Sequence, residues 1–156
     1  MTTQRAFQRE DTGQARAIET GRDGSAPHCF EIVVLFTTVR ETLGALRTAG
    51  RLAQGVATSI RLLVPQVVPY PLPLDEPPVS SGHLIREFQV VLEDSQLETR
   101  IDVRRCRDHW QAVGAALKPR SVVVMGGSRG WWPSRKYRLA ARLRSAGHQV
   151  VFSSPE

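Results

Sequence analysis

The chain predicts an α/β domain: a five-stranded parallel-type sheet with helices on both faces. Three observations carry this expectation. Residues 30–36 (FEIVVLF) and 121–126 (SVVVMG) are near-continuous apolar runs rich in β-branched side chains, as in strands covered on both faces. Between such runs lie stretches whose apolar residues recur at helical spacing. The two patterns alternate with short connections, which means parallel strands joined by right-handed crossovers.

The first strand, 30–36, leads into Thr38-Val39-Arg40-Glu41, an S/T-x-x-E capping box. Val39, Leu43, Leu46, Gly50, Ala53 and Ala57 then predict a helix to about Thr58. A second strand covers 60–68, where Pro65 lacks a ladder donor and marks an edge position or the strand's end. Pro69, Pro71, Pro73, Pro77 and Pro78 hold the following stretch extended, in a loop long enough to be functional or mobile. Ser80 or Ser81 caps a helix with Leu84, Ile85, Phe88, Val91 and Leu92 on one face. Residues 99–105 alternate, with Ile101 and Val103 inward and Arg100, Asp102 and Arg104 outward, as in a half-exposed strand near an edge. Asp108 and Gln111 frame a second cap; its helix buries Trp110, Val113 and Leu117 and stops at Pro119. After the 121–126 strand, a helix over 135–146 puts Leu139, Leu143 and Ala146 on its apolar side, with Gly147 as its C′ residue. Residues 149–153 (QVVFS) make a last short strand.

A length of 156 residues suits one domain, here 29–156, preceded by a disordered or loosely packed tail over 1–28. No apolar run is long enough to span a membrane, so no membrane insertion is expected. The start of the chain lacks the apolar core of a secretory signal. Cys29 and Cys106 have no CxxC spacing, and His28, His83, His109 and His148 are scattered. Reduced thiols, a cytoplasmic setting and no metal are the expectations. The net charge is +6, and residues 109–155 hold Lys118, Arg120, Arg129, Arg135, Lys136, Arg138, Arg142 and Arg144 with no Asp or Glu. That bias points to an anionic partner: phosphate, nucleic acid or an acidic surface.

The apolar run 122–125 opens directly into Gly126-Gly127-Ser128-Arg129-Gly130, and a helix follows. Ligands of open α/β sheets bind at the carboxyl ends of strands, and a glycine loop feeding a helix N-terminus suits phosphate. Backbone N–H groups from 127–130 and at Ser134 make an anion-binding concavity. Arg135 and Lys136 sit in the first helical turn, where the dipole disfavours each cation by about 0.3–1 kcal/mol, a penalty that either a bound phosphate or solvent screening offsets. Trp131 and Trp132 either stack on a base or lid the sheet's end. A catalytic site is not expected: the region has no carboxylate, and Ser134 has no His-Asp pair at motif spacing.

Three stretches carry a resemblance to the universal stress protein family: EIVVLFTTVRETLGALRTAGRLA, IRLLVPQVVPYPLP and RIDVRRCRDHWQAVGAALKPRSVVVMGGSRGWW. The resemblance covers about 30–153. It implies a Rossmann-like domain of the adenine nucleotide alpha-hydrolase type, often a homodimer through the last strand, here Gln149, Val150, Val151 and Phe152. It implies stress-response or regulatory work without catalysis, with ATP or AMP as ligand. Thr37 stands where the family's Asp contacts the nucleotide, so that contact is lost or weakened and the site is partial, either working or degenerate; Val67 or Val68 supplies the backbone beside adenine. Gly127, Ser128, Arg129 and Gly130 supply the first half of the phosphate motif. The second half departs from the pattern; Ser134, followed by Arg135, takes the place of its Gly-Ser pair after a shortened span. Two other readings stand beside this one. The first is a nucleic-acid or acidic-partner module built on the basic third. The second is a cytoplasmic accessory domain of a transporter or sensor.

Overall fold

A computed structural model describes residues 30–95, 98–127 and 134–153, with the side chains at 84, 91, 94 and 95 excepted. The expected tail over 1–28 and the loop residues Ser128, Arg129, Gly130, Trp131 and Trp132 lie outside the described residues. In chain order the elements are β1 (Phe30–Leu35), α1 (Val39–Ala53), β2 (Thr58–Val67), α2 (Ser81–Ser95) and β3 (Thr99–Cys106). Then come α3 (His109–Ala116), β4 (Val122–Gly126), α4 (Arg135–Ser145) and β5 (Gln149–Ser153). All strands are parallel, in the order β3-β2-β1-β4-β5. This is the expected Rossmann-like α/β arrangement.

Strand alternation divides the core into two layers. Ile32, Val34, Ile60, Leu62 and Val64 face α1 and α2, packing with Ala45, Leu46, Phe88 and Leu92. Val33, Leu35, Leu63, Val123 and Met125 face the other way, against Val113 and Ala116 of α3 and Ala140 and Leu143 of α4. The chain runs outward from β1 through β2 to β3, then crosses back to β4 and β5. Strand order therefore reverses between β1 and β4, and ligands of such sheets bind at that point.

The caps at Thr38 and Asp108 form, whereas the Ser81 hydroxyl donates to Gln66 Oε1 and the Glu41 carboxylate turns to Lys136 and does not close a capping box. The Glu41 N–H donates to Thr38 Oγ1 at 3.3 Å, and the Gln111 N–H donates to the Asp108 carboxylate at 3.0 Å. At the end of α4, Gly147 has φ +89; its N–H donates to the Arg144 carbonyl and that of His148 to Leu143, a Schellman closure. Helix α1 ends at Ala53, short of the expected Thr58. Gly55 takes φ +77 just beyond it and β2 begins at Thr58.

Three expectations change. Pro65 is neither at an edge nor at a strand end: it lies inside β2, opposite Arg104 of β3. Leu63 bonds toward β1 and Val68 toward β3, so Pro65 turns its ring nitrogen to the β1 side, beyond the last β1 partner, Leu35. The β1–β2 ladder ends there, at the Phe36 N–H bond to the Leu63 carbonyl. Second, Asp102 of the "outward" row on β3 meets a buried arginine instead of water. Third, the buried face of α4 is Ala140 and Leu143, while Ala146 is its exposed C-cap.

That arginine is Arg61, in β2, only 8 % exposed. Its guanidinium donates to Asp102 of β3 at 3.0 Å, to Glu31 of β1 at 3.2 Å and to the Ala116 carbonyl at the end of α3 at 2.9 Å. One cation thus ties two neighbouring strands and compensates the negative end of a helix. Beyond β2, Arg107 donates to the Val68 and Leu72 carbonyls, and Arg105 donates to that of Asp75. The Arg107 guanidinium also lies 4.2 Å from the centre of the Tyr70 ring. The proline-rich connection is fastened to the end of β3.

The strand expected to pair two copies, β5, is an edge strand. Gln149 bonds toward Ser121, so Val150 points its backbone outward, and Arg144 donates to the Val150 carbonyl at 3.1 Å. Edge-to-edge pairing through Gln149, Val150, Val151 and Phe152 has to displace Arg144. No helix among the described residues is long and apolar enough to cross a membrane.

Replacing Arg61 with Met leaves the Glu31 and Asp102 carboxylates facing each other under α3. The expected loss is about 2–4 kcal/mol of stability, read as a lowered urea midpoint; an unchanged midpoint contradicts this role for Arg61.

Candidate functional site

At the strand-order reversal the carboxyl ends of β1, β2 and β4 open into a cleft of about 690 Å³. Leu35, Phe36 and Thr37 form its floor on the β1 side, Pro65 and Val67 on the β2 side, and Met125 on the β4 side. One wall is the start of α3, with Asp108, His109 and Trp110. The other is α4, with Arg135, Lys136, Arg138, Leu139 and Arg142. Both helices aim their N-termini at this space, but they differ. The end of α3 is closed by its own Asp108 carboxylate, whereas the N-cap of α4, Ser134, makes no side-chain cap bond. No acidic residue stands in the first turn of α4. Among the described residues no side chain caps its leading N–H groups.

The expected site residues divide as follows. Thr37 lines the cleft; its N–H is held by Thr42 Oγ1 at 3.2 Å, and its own buried hydroxyl has no hydrogen-bond partner among the described residues. Val67 lines the cleft and is 44 % exposed. By the alternation along β2, its backbone turns to the space beyond the end of β1. Val68 is buried, and both its backbone groups are spent: its N–H donates to the Cys106 carbonyl and its carbonyl accepts from Arg107. Of the two valines, Val67 is the one that faces the cleft. Gly127 directly follows β4 with φ +145, and a side chain there would meet the Lys136 amine at 2.6 Å. The Ser134 hydroxyl is buried and has no partner among the described residues, and Arg135 is exposed on the rim. Ser128, Arg129 and Gly130 lie outside the described residues.

Several cleft residues escaped sequence reasoning. His109, Trp110, Arg138 and Arg142 read there as parts of two separate helices. Only the reversal of strand order sets the two helices side by side. Arg142 lies over Trp110, 5.5 Å from the ring centre. Glu41 was visible only as a capping residue, yet its carboxylate reaches Lys136 Nζ at 2.5 Å. Burial pushes the Glu41 carboxyl upward. The Lys136 hydrogen bond and charge, with the Thr37 and Thr38 hydroxyls close by, outweigh it and hold the group below its usual value.

The cleft is cationic. Arg135, Lys136, Arg138 and Arg142 face it against one lining carboxylate, Asp108. Burial lowers the His109 pKa more than the neighbouring Asp108 raises it, so the imidazole is neutral at pH 7. The charge of this lining is complementary to an anion. Among the described residues no three His, Cys, Asp or Glu side chains gather to hold a metal ion.

No family model, curated protein or solved structure matches this chain.

Two outcomes follow from this geometry. The folded chain resists protonating His109, so below pH 6.5 the unfolded chain binds more protons and stability falls as the medium acidifies through the lowered pKa. His109→Gln removes that part of the decline, measurable as urea midpoints between neutral and mildly acid pH; equal slopes for both proteins contradict it. The caps also differ in worth. Asp108→Ala costs about 1 kcal/mol, while Ser134→Ala costs a few tenths at most in the free protein, because only Asp108 makes its cap bond.

Proposed function

We propose that the cleft binds a small phosphate-bearing ligand, with ATP or AMP as the first candidates. On this reading the chain works as a non-catalytic regulatory domain of the universal-stress-protein kind. The observation that carries the proposal is the cationic cleft at the reversal of strand order, walled by a helix whose N-terminus is uncapped. A phosphate there accepts from the first N–H groups of α4 and from Ser134, and it meets Arg135 and Arg138. Val67 offers free backbone beside the cavity, the place the resemblance gives to adenine. Trp110, under Arg142, offers an aromatic surface on the opposite wall.

The arginines that suggested a nucleic-acid partner include Arg135, Arg138 and Arg142, which line this concave space. A small anion suits it better than an extended strand.

Isothermal titration with ATP, ADP and AMP tests the proposal. Saturable binding is expected, weakened about tenfold or more by Arg138→Ala. No heat at millimolar nucleotide overturns the nucleotide reading. Retardation of single-stranded RNA that falls steeply with salt favours the nucleic-acid module in its place.

A further inference from the structure

Lys136 differs from the other cations of the cleft. Arg135 and Arg138 have no carboxylate within ion-pair distance among the described residues, whereas Lys136 is paired with Glu41 at 2.5 Å. Both partners are mostly buried, at 24 % and 29 % side-chain exposure. They also belong to opposite layers: α1 packs on one face of the sheet and α4 on the other. Their side chains meet over the carboxyl end of β4. The lysine stem passes where a Gly127 side chain would stand, since an added Cβ would lie 3.2 Å from its Cε. The pair is therefore a bridge across the edge of the sheet, with its lysine end in the cleft.

We propose that Glu41 guards the cleft: it holds Lys136 in an internal ion pair from which an incoming phosphate displaces the carboxylate, so that occupancy on the α4 side is felt at the start of α1. The inference rests on the phosphate reading of the cleft. The exchange is favourable for chemical reasons. A phosphate brings more negative charge than one carboxylate, and it also takes up the N–H groups of α4 and the Ser134 hydroxyl, which Glu41 leaves unpartnered. Glu41 is not stranded when Lys136 leaves. It stands in the first turn of α1, at the favourable end of that helix, beside the Thr37 and Thr38 hydroxyls. Each end of the pair thus has a second partner, and the ligand selects between the two arrangements. With Lys136 released from Glu41, α1 and α4 lose their polar link across the end of β4.

The test uses inorganic pyrophosphate as probe on the full chain and on Glu41→Gln, which keeps the shape of the side chain. Removing the competing carboxylate is expected to tighten pyrophosphate binding about threefold to tenfold. Wild-type binding with an equal or weaker affinity in Glu41→Gln overturns the guard and leaves the phosphate cleft standing. Absence of binding to both proteins overturns the cleft reading and the guard together. A second measurement needs no variant. The carboxyl carbon resonance of Glu41 in the wild-type chain is expected to shift as pyrophosphate saturates the cleft, and an unmoved resonance at saturation overturns the guard.

Discussion

Gly126 has no side chain, and the first turn of α1 occupies the space that one would take. An added Cβ would run into the Glu41 carbonyl and lie 2.6 Å from the Glu41 Cβ. Backbone, unlike the tip of a flexible side chain, cannot yield cheaply. This close approach sets the α1 helix against the end of β4 as well as over β1. It brings the Glu41 carboxylate to the rim of the sheet. Gly127, one residue on, clears the path for the Lys136 stem from the opposite layer. Two adjacent glycines therefore decide that the helical layers meet at one point, and that the point is the mouth of the cleft. The glycine pair read first as part of a phosphate loop. In the fold it is a packing device.

Charge placement on α4 follows from the same geometry. Cations in a first helical turn oppose the helix dipole. In α4, Arg135 and Lys136 occupy that turn, no acid shares it and the Ser134 cap bond is missing. α3 starts beside it with its Asp108 cap formed. The two helices share a cleft and packing partners, so the difference between them lies in local chemistry. One N-terminus is satisfied by the chain itself. The other, among the described residues, has no side-chain cap and carries positive charge in its first turn.

The layer order was legible because it depends on local patterns: apolar runs, helical spacing and caps such as Thr38 and Asp108 lie within a few residues of their effects. Pro65 was misjudged because the rule against proline in a sheet interior assumes partners on both sides, and β1 stops short of it. Arg61 could not be found in IRLLV, since its three partners come from β1, β3 and the end of α3. The site divided in the same way. Thr37, Val67 and Arg135 were reachable from the ends of apolar runs. His109 and Trp110 were not, because nothing local says that a helix beginning at His109 lies beside one beginning at Arg135. That fact belongs to topology, and it appears only once β4 is placed next to β1.

The crossover from β3 back to β4 also has a temporal meaning. A chain emerging in order can pair β1, β2 and β3 and cover one face with α1 and α2 before the other face has any helix over β1. The exposed side of Val33, Leu35 and Leu63 then waits for α3 and α4. The last helix to arrive closes that face and, in the same act, erects the cationic wall and delivers Lys136 to Glu41. The cleft is thus a property of the finished fold. A ligand that needs it adds its binding energy to the completed chain and not to its partly assembled forerunners.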